Sequence, residues 1–333
     1  MSTADYLIIG AGIVGITIAL ELRKRFPEAK IRLLEKEPEL GLHSSGRNSG
    51  VLHSGIYYPP GTLKAEVCRQ GAIEMKEFHR AHKLELRECG KLLVVADPLD
   101  APQLAMLEER AQHQGIPVEK LDEQQLRDME PEARSATGEA LYVRSTAVGD
   151  PEAVMRVLRE TLIDTNIALT YNAQLASVEP DQRQICLTTG EVIQYGHAIN
   201  TAGLYADRVE HLFRCGQAYT LLPFKGIYWK LDPASGIRFN HLVYPVPDLR
   251  VPFLGVHTTT TVDGATYLGP TAAPAFGREN YSGLQGINLT EAAQISWILT
   301  KQLVENRDGF RRLAWREGRH YFKRWFVQTA QAI

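Results

Sequence analysis

Glycines at positions 10, 12 and 15 and a glutamate at 35 have the spacing of a dinucleotide site. Gly10 permits a tight turn, Gly12 lets a pyrophosphate approach the backbone, and Gly15 lets the following helix pack close to the preceding strand. Free N–H groups and the positive dipole end of that helix then face the phosphates. Glu35 stands 20 residues after Gly15. A carboxylate there accepts both hydroxyls of an adenosine ribose and disfavours a 2′-phosphate, so FAD or NAD is expected rather than NADP.

The run "HSSGRNSGVLHSGIYYPPGT", His43 to Thr62, separates these two cofactors. An NAD enzyme continues here with another ordinary βαβ unit. This run is instead small and polar. Small residues let a backbone come close to a ligand, and hydroxyl and amide groups bind polar atoms along it. A ribityl chain with a ring system beyond it fits such a wall, so FAD is preferred. The tyrosines and prolines of "GIYYPP" predict an ordered turn rather than a loose loop. Other chemistries fit less well. "GRNSG" lacks the central serine of a nucleophile elbow. The histidines of "HRAH", His79 and His82, have no glutamate or third ligand nearby, so a solvated helix face is expected and no metal site.

The elements that must hold these residues follow from pattern. "DYLIIG" reads as a strand, "ITIALELRKRF" as a helix and "KIRLLEK" as a second strand. "GKLLVVAD" reads as a strand, Pro102 to Gln114 as a charged helix, and "EQQLRDMEP" as a helix stopped by Pro131. A helix starts at Asp150-Pro151, and short strands follow it. Leu221 to about Pro270 reads as short β segments between Pro and Gly turns, suited to an antiparallel sheet.

The expected fold is α/β: a Rossmann-like FAD-binding domain of glutathione-reductase type, with an α+β substrate domain built on an antiparallel sheet. The FAD domain is assigned to 1–88 and 140–215, the substrate domain to 89–139 and 216–304, and a basic aromatic helix to 305–333. The 333 residues, 44% hydrophobic and 23% charged, suit two domains. A formal charge of −2 argues against nucleic acid as a partner. Four dispersed cysteines suggest reduced thiols rather than a disulfide framework. No apolar run is long enough to cross a bilayer, and the first residues enter a strand without a basic leader, so a cytoplasmic protein is expected.

The segment "HSSGRNSGVLHSGIYYPPGTLKA" resembles that of the FAD-dependent L-2-hydroxyglutarate dehydrogenases, or oxidases, of the D-amino-acid-oxidase-like superfamily. So do "CGKLLVV", "LYVRSTAVGD", "INTAGLYADRV", "PFKGIYW", "YPVPDLRVPFLGVHTTTTVDG" and "LGPTA", in order along nearly the whole chain. The resemblance implies oxidation of a 2-hydroxy acid, L-2-hydroxyglutarate first, to the 2-oxo acid, with electrons passing to quinone or oxygen. It adds Lys36, Ser45, Arg47, Asn48, Ser49, Leu175, Ala202 and Gly203 to the cofactor residues Gly10, Gly12, Gly15 and Glu35.

Such a reaction removes a hydroxyl proton and transfers the α-hydride to flavin N5; the protein supplies a base and carboxylate anchors. Histidine is the natural base near neutral pH. One of His53 and His257, the latter ending the apolar strand "VPFLGVH", is expected as the base; His53 is placed ahead, with His257 then a substrate hydrogen-bond donor, and which of the two takes the proton stays open. Tyr57, Tyr58, Lys64 and Lys225 are expected to bind the substrate, with Arg47 serving either it or the pyrophosphate. Lys225 replaces the arginine usual in "PFRG", keeping the charge without the fork. A flavin amine or amino-acid oxidase stays open as an alternative.

Two features of the C-terminal stretch complete the expectations. From Glu305 to Arg324, seven Arg/Lys face three Asp/Glu with aromatics interleaved. Such a helix either packs one aromatic face on the protein or contacts an anionic membrane, peripherally at the inner membrane. The resembling proteins continue beyond this helix with a segment that returns to the nucleotide domain. A chain stopping at Ile333 is expected to leave the flavin site open on one side, so a truncated, impaired flavoprotein is a second alternative.

Overall fold

The computed structural model describes residues 2–249 and 254–333. Two compact units form, Met1–Asn48 with Pro151–Pro223 and Ser49–Asp150 with Phe224–Ile333.

The first unit is built on a six-stranded sheet. Its centre is Ser2–Ile9, paired in parallel with Ile31–Leu34 on one side and with Val192–Asn200 on the other. Ala168–Thr170 extends it in parallel beyond Ile31–Leu34, and Leu175–Glu179 and Gln184–Leu187 close the other edge antiparallel. The register sets Ile9 against both Leu34 and Asn200, and Leu34 against Thr170. Four parallel strands therefore end side by side, at the edge where open α/β sheets bind ligands. The helix Ile13–Arg25 starts there and buries Gly15, Ile16 and Ala19. Its last turn, Arg23, Lys24 and Arg25, complements the dipole. As "GAGIVG" predicts, strand, glycine turn and helix follow one another.

The second unit holds three small sheets. In one, Lys91–Val94 lies between Ala140–Val143, antiparallel, and Leu242–Pro245, parallel. In another, Thr266–Pro274 pairs antiparallel with Phe224–Lys230 and His257–Thr260. Strand alternation gives Lys91, Leu93 and Val95 one face and Leu92 and Val94 the other. The first face packs with Tyr57, Leu107, Leu242 and Tyr244; the second packs with Leu126, Val243 and Ile333. Leu107, on the helix Ala101–His113, is fully buried. Leu107→Ala removes its methyl groups from this core and is expected to cost about 2–5 kcal/mol, read as a lower urea midpoint.

Several sequence expectations change. Residues 49–88 and 140–150 join the second unit, because Val51–Leu52 and Leu86–Arg87 both pair with Ala147–Gly149. Residues 216–223 stay with the first unit. The single helix expected over 305–333 divides into Phe310–Arg319 and Lys323–Ala330, with extended backbone at Phe322, and Phe326 and Ile333 are buried beyond the break. His79 is not on a solvated face. It is buried, its Nδ1 bonds the Met75 carbonyl at 2.8 Å, and its ring occupies the space a side chain at Gly149 would need. Part of "VPFLGVH" lies outside the described residues, and His257 opens a strand rather than ending one. Among the described residues no helix is long and apolar enough to cross a membrane.

Candidate active site

A cavity of about 560 Å³ opens at the carboxyl ends of the parallel strands of the first unit. That size lies within the range of small-molecule sites. Ile9, Leu34, Leu175, Val209 and Leu212 line it with apolar surface, and Gly10, Gly12, Glu35, Ser45, Thr201 and Ala202 bring backbone and polar groups. Gly10 needs its glycine twice over: its φ is +102°, and a Cβ there would lie 2.5 Å from the Thr201 carbonyl oxygen. At Gly15 a Cβ would lie 2.0 Å from the Gly10 oxygen. Gly15 does not line the cavity; it lets the helix approach the strand, the role its position predicts.

Glu35 closes the floor. Its Oε2 accepts the Ala11 N–H at 3.1 Å and its Oε1 accepts the Glu37 N–H at 3.0 Å. A carboxylate offers about four lone-pair positions, so two stay available for ribose hydroxyls. Ser45 Oγ accepts the Ile13 N–H at 3.0 Å and fixes the first helical turn. The residues present fit a dinucleotide: glycine backbone beside a helix start, a buried carboxylate at the second strand, and apolar walls.

Of the other expected cofactor residues, Lys36, Asn48, Leu175, Ala202 and Gly203 line this cavity. Lys36 pairs with Glu37 and lies 4.9 Å from the Tyr205 ring centroid. Arg47 and Ser49 are not among the lining residues. Arg47 is exposed and donates from Nε to the Leu42 carbonyl at 2.6 Å, while Ser49 opens the second unit.

The second unit gathers the expected catalytic histidines. Gly55, at φ +82°, begins a turn closed by the Tyr58 N–H on the Gly55 carbonyl at 2.9 Å. Arg110 and Gln114 donate to the carbonyls of Tyr57 and Tyr58 at 2.7 and 3.2 Å, so "GIYYPP" is ordered as expected. The His53 ring lies 6.5 Å from that of Tyr57 and 6.1 Å from that of Tyr58. His257 is brought against Tyr244 because Thr258 Oγ1 accepts the Val243 N–H at 2.8 Å and ties their strands together. The two rings stack at 3.7 Å.

Hydrogen bonds assign the histidine tautomers. The Gly55 N–H donates to His53 Nδ1 at 3.2 Å, so the proton of neutral His53 sits on Nε2, which is a donor. His257 Nδ1 lies 2.9 Å from the Gly255 carbonyl oxygen, which only accepts. The His257 proton is therefore on Nδ1, and Nε2 keeps its lone pair. His257 thus keeps an acceptor nitrogen and His53 a donor N–H, the opposite order to the one placed ahead from the sequence. Burial, then the charges of Lys91 and Lys64, lowers the His53 pKa to about 4. Burial lowers that of His257 to about 3; the Gly255 bond opposes the shift and Lys91 adds to it. Both rings are neutral at pH 7.

Lys64 lies over the Tyr58 ring at 4.4 Å. Lys225 is held elsewhere, donating to Asn280 Oδ1 at 2.7 Å. The sequence reading missed Lys91. Its side chain is 0% exposed, donates to the Tyr57 hydroxyl at 3.0 Å and lies 4.4 Å from that ring's centroid. The one available signal was a lysine opening the apolar run "KLLVV".

Comparison with known proteins agrees with this architecture. The FAD dependent oxidoreductase family, DAO, matches residues 5–318. The L-2-hydroxyglutarate dehydrogenase of Escherichia coli K12 is 35% identical over 279 residues, covering 83% of this chain and 66% of that one. The human mitochondrial L-2-hydroxyglutarate dehydrogenase is 35% identical over 294 residues, covering 84% and 63%. The chain thus spans just under two thirds of these relatives. Among solved structures, FAD-bound L-α-glycerophosphate oxidase from Mycoplasma pneumoniae superimposes with a TM-score of 0.71 at 23% identity, covering 89% of this chain and 78% of that one. Glycine oxidase from Geobacillus kaustophilus gives 0.67 at 17% identity, covering 82% and 72%. With its glycine turn, Glu35 and match from residue 5 to 318, the chain belongs to the FAD-dependent oxidoreductase family.

Proposed function

We propose that this chain oxidises L-2-hydroxyglutarate to 2-oxoglutarate with FAD as cofactor and quinone or oxygen as electron acceptor. The observation that carries the chemistry is His257, whose Nδ1 is tied to the Gly255 carbonyl while the ring stacks on Tyr244. A hydroxy acid must lose its hydroxyl proton, and the free Nε2 lone pair takes it. The names of the relatives supply the substrate.

Gly10, Gly12, Glu35, Lys36, Ser45, Asn48, Leu175, Ala202 and Gly203 hold the dinucleotide. Bound FAD supplies an acceptor at flavin N5 for the hydride of the α-carbon. His53 donates from Nε2 to the substrate, and Tyr57, Tyr58 and Lys64 bind its carboxylates. A dianion beside His257 favours the imidazolium, so substrate binding itself raises the basicity of a ring that burial has lowered. Exposed Trp315, Phe322 and Trp325 beside Arg311, Arg312 and Arg319 suit contact with an anionic membrane surface, where quinone is found.

The test is a substrate panel on FAD-loaded protein with quinone and with oxygen. Turnover of L-2-hydroxyglutarate above glycine and sarcosine is the expected result. Faster turnover of glycine or sarcosine would transfer the chain to the amine oxidases of the same fold.

A further inference from the structure

Lys91 places its amine in the core of the second unit, fully covered. Its Nζ makes one hydrogen bond, to the Tyr57 hydroxyl, and lies 5.2 Å from the Tyr244 ring centroid. Among the described residues no carboxylate pairs with it. A buried ammonium without a partner destabilises a fold, and such groups collect at functional sites.

We infer that Lys91 is a positioning residue that turns Tyr57 into a hydrogen-bond donor for an anionic group of the substrate. The inference rests on the proposed hydroxy-acid chemistry. In the protonated form that a bound anion favours, the Lys91 ammonium has three donors and no acceptor, so the Tyr57 oxygen must then accept from it. The phenol proton then points away from Nζ, and among the described residues nothing else takes it. Tyr57 is a candidate substrate ligand, and the charge behind its oxygen strengthens the bond it donates. Lys91 itself stays covered and acts through the phenol.

The surrounding titratable groups fit. Tyr57 and Tyr244 are pushed upward by burial and so keep their protons. The Cys68 thiol is also raised by burial. Lys91 and Lys64 bear on His53, and Lys91 bears on His257, in each case opposing a second positive charge. Burial brings Lys91 to about 7, with Cys68 opposing. A bound anion favours the ammonium, so binding should take up a proton at pH 8, where both histidines stay neutral.

The experiment uses FAD-loaded protein, Lys91→Met, Tyr57→Phe and the double variant, with glutarate as an unreactive dicarboxylate probe. Calorimetry in two buffers of different ionisation enthalpy gives affinity and proton uptake. Each single variant is expected to weaken glutarate about tenfold or more, the double variant no further than the worse single one, and proton uptake to vanish in Lys91→Met. The His257 ring, followed by NMR, should titrate at higher pH in Lys91→Met. Independent, multiplying losses in the double variant, or Tyr57→Phe binding glutarate as wild type does, would overturn the inference; the second arm stands if Lys91→Met fails to fold. Wild-type protein that binds glutarate with this coupling yet is not reduced by L-2-hydroxyglutarate would sink the reaction and spare Lys91. Reduction of wild type with no coupling would do the reverse.

Discussion

His257→Gln leaves the FAD-loaded protein yellow and slows its anaerobic bleaching by L-2-hydroxyglutarate about 10²–10⁴-fold, the usual contribution of a positioned base. The direction follows from one hydrogen bond. His257 Nδ1 lies 2.9 Å from the Gly255 carbonyl oxygen, which fixes the ring and leaves the lone pair on Nε2. Glutamine fills similar space but offers no basic nitrogen. His53→Gln should act differently. His53 already accepts the Gly55 N–H at Nδ1, so its contribution is a donated bond from Nε2. Its loss is expected mainly in substrate affinity, by about tenfold. Stopped-flow reduction at several substrate concentrations separates the two. A larger rate loss in His53→Gln than in His257→Gln would restore the order of roles expected from the sequence.

The second large effect lies at the glycine turn. Gly15→Ala sets a Cβ 2.0 Å from the Gly10 carbonyl oxygen and 2.8 Å from Thr201 Oγ1, so strand and helix must part. Overpacking against backbone costs about 1–3 kcal/mol or more. Gly10→Ala adds backbone strain at φ +102°, a further ~1–3 kcal/mol. Both variants should purify colourless, stay so after FAD addition and unfold at lower urea. Gly71→Ala is the control: a Cβ there meets nothing within 4 Å, on a helix of the second unit, so flavin binding should be unchanged. Yellow Gly15→Ala protein of wild-type stability would remove the glycine turn from the cofactor site.

These cases also show what the sequence could carry. The glycine turn and Glu35 were legible because their constraints are local: one turn, one helix start, one strand end. The helix of Pro151–Ile163 was legible from its Asp-Pro start. Lys91 was not. Its burial depends on the register of Lys91–Val94 with Leu242–Pro245, a pairing between distant segments, and on Tyr57 arriving from a third. The histidine tautomers were hidden for a similar reason, since each depends on a backbone group two residues away whose direction only the folded turn sets. His79 looked solvated because nothing in "HRAH" announces the space left by Gly149. The boundary expected at 88 moved to 48 because a two-residue strand, Val51–Leu52, is too short to announce its pairing.

The most direct measurement is anaerobic mixing of FAD-loaded protein with one equivalent of L-2-hydroxyglutarate, following flavin absorbance and 2-oxoglutarate together. The expected result is loss of the oxidised flavin band with one 2-oxoglutarate formed per flavin reduced. A protein that stays colourless after FAD addition, or a flavin that stays oxidised beside unchanged substrate, would contradict it.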